Sequence, residues 1–141
     1  MRYHFKVHEE RDGLWAECTE LPGCRTQAET RDELPAACEE SLNLYLEEPQ
    51  DSKVVFPLPD EVLDNDPAFL GIEVEPELAL AVLLRFHRHR SRLTQKQVAE
   101  MLGMKNIYSY QRLEKKANPT LALLKKIHHI FPAINLGRII G

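Results

Sequence analysis

Ile72-Glu73-Val74-Glu75-Pro76-Glu77-Leu78 is where the period of this chain changes. Before it, apolar residues tend to alternate with polar ones, the two-residue period of a strand; after it they recur every three or four, the period of a helix. Proline suits the first turn of a helix, where a missing N–H goes unmissed. The junction divides the chain into residues 1–75, which read as strands and one helix, and residues 76–141, which read as helices throughout. The fold class expected is α+β. Charge changes sign at the same place. Residues 1–75 carry 19 Asp and Glu against 6 Lys and Arg, a net of −13, and residues 76–141 carry 3 against 12, a net of +9. The overall −4 conceals this division. A basic half suits a polyanion, and an acidic half suits a basic protein.

Upstream of the junction, Tyr3, Phe5 and Val7 alternate with Arg2, His4, Lys6 and His8, which predicts a half-buried first strand. Asp12-Gly13 suits a hairpin turn. Leu14 to Thr19 alternates again, with Trp15 and Glu17 on the outer face, and Pro22-Gly23 leads into a short third strand at Cys24 to Ala28. Thr30 and Glu33 have the spacing of a capping box. The helix they would open carries Leu34, Ala37, Cys38, Leu42 and Tyr45 in one stripe, with Glu39, Glu40, Asn43 and Glu47 outside. Pro35 conflicts with that start and predicts an irregular first turn or a later beginning. Val54 to Phe56 reads as a brief edge strand, and Ile72 to Val74 as the strand that closes a βββαβ unit.

Downstream, helices are expected over Glu77 to His89, Thr94 to Leu102, Asn106 to Lys115, and from Asn118-Pro119 to Phe131. Thr94 and Gln97 form a second capping box, and Gly103 ends that helix. The apolar tail, Ile134 to Ile140, is short for a helix and predicts a strand or arm contributing to a dimer. A homodimer or higher oligomer is expected in any case, because halves of this size gain stability by association.

Leu93-Thr94-Gln95-Lys96-Gln97-Val98-Ala99-Glu100-Met101-Leu102-Gly103 resembles the first helix and turn of the Cro/phage-repressor (XRE) helix-turn-helix. Ala99 is small where two helices would cross, and Gly103 allows the positive φ of the turn. In the helix that follows, Leu113 and Tyr110 would anchor the underside, while Asn106, Tyr108, Gln111 and Arg112 would face the major groove of operator double-stranded DNA. Thr94, Gln95, Lys96, Lys105 and Lys115 suit phosphate contacts. The stretch from Gly103 to Leu113 is one residue longer than the usual spacing, which shifts the base-reading positions by up to one. By the same resemblance Arg88 falls where an arginine pairs with a glutamate at the end of the recognition helix, here Glu114. Arg85, Arg90 and Arg92 remain as candidates for the DNA backbone.

Asp12-Gly13-Leu14-Trp15, Leu21-Pro22-Gly23-Cys24-Arg25-Thr26-Gln27-Ala28-Glu29-Thr30 and Glu33-Leu34 resemble the signature of HicB antitoxins. The resemblance covers most of the chain. It implies a partial RNase H-like βββαβ toxin-binding domain at residues 1–75 and a DNA-binding, dimerising domain at 76–141. It implies as partner a HicA-type toxin, small, basic and mRNA-cleaving, and repression of the shared operon. The acidic surface expected to meet that toxin includes Trp15, Glu17, Glu39, Glu40 and Asn43. The alternative reading is a one-component transcription regulator with a ligand-sensing N-terminal domain.

An enzyme is not expected. RNase H chemistry needs convergent carboxylates around two metal ions, whereas the first strand offers His4, Phe5 and Lys6 at its centre and the second offers Glu17 alone. The six histidines lack spacings that would pair them on a metal and are expected at the surface; no metal or cofactor is predicted. Cys18, Cys24 and Cys38 are an odd set without CxxC spacing and are read as buried or bystander thiols. No apolar run is long enough for a bilayer, and the first residues lack the core of a secretory signal, so no membrane association and a cytoplasmic location are expected.

Overall fold

Tyr3, Phe5 and Ala16 lose all exposure on one face of a four-stranded antiparallel sheet. The computed structural model describes residues 1–49 and 52–141. Strands β1 (Arg2–Glu10), β2 (Gly13–Cys18), β3 (Arg25–Ala28) and β4 (Phe69–Glu73) lie in the order β3-β2-β1-β4. Helix α1 (Leu34–Leu46) lies between β3 and β4 in sequence and buries Leu34, Cys38, Leu42 and Leu46. The chain order is therefore βββαβ, followed by five helices: α2 (Pro76–Arg90), α3 (Gln95–Met101), α4 (Ile107–Lys115), α5 (Leu121–Ile130) and α6 (Leu136–Ile140). The fold is α+β. None of the described helices is long and apolar enough to cross a membrane.

The β1–β2 hairpin turns one residue earlier than Asp12-Gly13 suggests. Glu10 pairs with Gly13, leaving Arg11 and Asp12 as the loop. Gly13 is needed for a different reason: its φ is +150°, and a Cβ there would lie 2.8 Å from the Ala28 carbonyl oxygen. Pro35 prevails at the start of α1. Only half of the expected capping box forms, a weak 3.4 Å bond from the Glu33 N–H to the Thr30 hydroxyl, and the helix begins at Leu34 with the proline in its first turn. The Thr94–Gln97 box forms completely, at 3.1 Å and 2.8 Å.

Three expected elements come out differently. Val54 to Phe56 is not a strand; Pro57 and Pro59 restrict it, and the Phe56 ring packs 5.6 Å from that of Tyr45. Helix α5 starts after Thr120, whose hydroxyl captures the Leu123 N–H, because the preceding chain is held extended by a bond from the Ala117 N–H to the Glu77 carbonyl. The tail is neither strand nor extended arm. Asn135 caps a short helix that tertiary contacts sustain, with Ile134 and Ile139 buried and Arg138 paired to Glu61.

Helix α2 joins the halves. Leu78 through Arg85 are buried without interruption, so this helix has no solvent face along two turns. Buried side chains from both sides of residue 75 form one continuous core. Arg85 was a candidate DNA-backbone contact, and here it is 3% exposed. Its Nε donates to the Glu114 carbonyl (2.7 Å), and its terminal nitrogens donate to the carbonyls of Ser52 (2.9 Å) and Pro49 (3.2 Å). Burial lowers its pKa from the usual guanidinium value, against the pull of Glu114.

Candidate functional site

Helices α3 and α4 meet through a turn that Gly103 permits with φ +72°. Val98, Ala99 and Leu102 face Tyr110 and Leu113 in the core, so the small Ala99 sits among residues buried from both helices. Asn106 caps α4, its Oδ1 accepting from the Ser109 N–H at 2.9 Å. That bond occupies the oxygen of a residue expected to read bases.

Glu114, one of only three carboxylates after residue 75, is 1% exposed. Arg88 donates to it from Nε at 2.6 Å and from a terminal nitrogen at 3.1 Å, a two-pronged pair. The expected pairing of these two residues is what the structure contains. Burial alone would lower the Arg88 pKa, but the carboxylate outweighs it and the guanidinium sits above its ordinary value. Gln95 donates to the same carboxylate at 3.2 Å and accepts from Gln111 at 3.1 Å. Gln95, expected on phosphate, and Gln111, expected on a base, are thus partly consumed in binding α3 to α4. The Tyr110 hydroxyl, buried beside them, has no hydrogen-bond partner among the described residues, and burial followed by the Glu114 charge pushes its pKa up.

What remains free on this flank is cationic. Lys96, Lys105, Tyr108, Arg112 and Lys115 are exposed, as are Thr94 and the remainder of Asn106; of the acidic side chains after residue 75, Glu100 is exposed, Glu77 half-buried and Glu114 buried. Arg90 and Arg92 are exposed at the end of α2 and the turn after it.

The residues expected to meet a toxin do not share one surface. Trp15 and Glu17 stand on the sheet face opposite α1, whereas Glu39 and Glu40 lie exposed on α1 itself. Asn43 points elsewhere. It is half-buried, and its Oδ1 accepts from the Glu75 N–H at 3.2 Å. Around Trp15 the sheet builds a platform. The His8 ring stacks on the indole at 4.1 Å, the Arg25 guanidinium lies 5.3 Å from the ring, and Glu17 holds His8 at 3.0 Å. The β1–β2 register, which pairs His8 with Trp15, was the available signal for this stack.

His4 contradicts the expectation of surface histidines. It is fully buried, because the 3₁₀ turn Glu61–Asn65 covers that end of the outer sheet face. Its Nδ1 lies 2.6 Å from Glu20 and its Nε2 2.7 Å from Asp64. Glu20 also accepts from the backbone N–H groups of His4 and Asp60. The cluster ties the loop after β2 and the 3₁₀ turn to β1. Cys18, Cys24 and Cys38 are buried and free. The chain matches no known protein-family profile and no curated protein.

Proposed function

We propose that this chain is an antitoxin of the HicB type, whose acidic half neutralises a small basic mRNA-cleaving toxin and whose basic half represses its own operon by operator binding. One observation carries the reading: the division of charge along the chain is also a division of surface. After residue 75 the central carboxylate, Glu114, is buried and paired, so the α3–α4 flank faces solvent with Lys96, Lys105, Arg112 and Lys115. The βββαβ order and the two helices joined at Gly103 accord with the HicB and helix-turn-helix resemblances. In this reading Tyr108 and Arg112 read bases, and Lys96, Lys105 and Lys115 contact phosphates.

Co-expression of the full chain with the product of an adjacent small basic reading frame tests the first half, by growth rescue and co-purification together. Neither occurring overturns the antitoxin reading, and retained operator binding alone would then favour the regulator with a sensing domain. For the second half, Arg112→Ala weakens operator binding by about 1–3 kcal/mol while leaving growth rescue intact. Operator affinity falls with salt at a log–log slope of about −0.9 per phosphate contacted; a flat response overturns groove docking.

A further inference from the structure

We infer that the basic partner adds a backbone strand to the free edge of β3, centred on Gln27; this rests on the antitoxin reading and names the surface it uses. Strand β3 is the last in the sheet, bonded to β2 alone. The Cys18 N–H donates to the Cys24 carbonyl at 2.8 Å, and because hydrogen-bonded pairs alternate along an antiparallel ladder, Thr26 and Ala28 also turn their peptide groups toward β2. Arg25 and Gln27 therefore aim theirs outward. The Arg25 carbonyl is taken by the Ser41 hydroxyl at 3.0 Å. The N–H and C=O of Gln27 meet no partner among the described residues, and the residue is exposed. An open edge with paired donor and acceptor is a template for another strand.

The surroundings select the strand. A broad groove runs along this edge, and its walls carry Glu10, Asp12, Glu29 and Glu33 against the single cation Arg25. A strand rich in Lys or Arg finds compensation there, whereas a second copy of this edge would double the carboxylates. Trp15, cross-strand from Gln27, lines the same groove, its ring stacked by His8 and its Nε1 donating to Glu10.

The test uses the full chain and the adjacent basic protein as probe. Gln27→Pro removes the outward N–H without touching the β2 ladder, and Glu29→Lys reverses one wall charge. Gln27→Pro is expected to weaken the complex by about tenfold, the loss of one hydrogen bond, while operator binding is unchanged. Glu29→Lys weakens it further at low salt than at high salt. Hydrogen exchange on the wild-type complex gives a reading independent of any variant: the Gln27 amide becomes protected. Wild-type binding with an unprotected Gln27 amide overturns the strand-addition inference and leaves the antitoxin reading standing. So does a Gln27→Pro variant that binds the probe as wild type does, or one that instead dissociates a homodimer. Absence of wild-type binding overturns the antitoxin reading itself.

Discussion

In the acidic half the buried polar centre is His4, held between Glu20 and Asp64; in the basic half it is Glu114, held by Arg88 and Gln95. The two centres differ in their escape routes. Asp64 keeps a third of its side chain in solvent, so part of the His4 cluster is still hydrated, whereas Glu114 has none and Arg88 only 14%. The cost of breaking a centre depends on how much of it water can reclaim.

Glu114→Ala tests this most severely. It strands the Arg88 guanidinium and frees Gln95, and urea denaturation is expected to show a loss of about 3–5 kcal/mol. His4→Leu is expected to cost less, about 2 kcal/mol, because Glu20 keeps two backbone donors and Asp64 turns to solvent. Equal losses would break the comparison. The helix starts sharpen it at a smaller scale. Thr94→Ala removes one half of a complete capping box and is expected to cost about 1 kcal/mol. Thr30→Ala removes a 3.4 Å bond outside any helix and is expected to stay within about 0.5 kcal/mol. Thermal or urea unfolding of the two variants side by side decides it.

Local signals account for what the sequence made legible. Alternation in Tyr3, Phe5 and Val7, the proline at 76, and the Thr94–Gln97 pair act within a few residues, and each produced the element it predicts. Side-chain fates decided by distant chain were not legible. His4 reads as outward until the 3₁₀ turn some sixty residues later covers it. Arg85 reads as a surface cation until α4 and the segment before Phe56 close over it, although its place directly after the apolar run Leu80–Leu84 was a signal. Gln95 and Gln111 looked free because their mutual bond requires two helices to meet at a particular angle. Arg88 with Glu114 was legible only through a resemblance that already contained the tertiary pairing.

The uninterrupted burial of Leu78 through Arg85 has a consequence for the life of the chain. The boundary that charge draws at residue 75 is not a seam. A cut there would part α2 from α1 and take Arg85 away from the carbonyls of Pro49 and Ser52, leaving an apolar wound on both fragments. Loosening either half therefore opens the core it shares with the other, and the two halves are expected to unfold together.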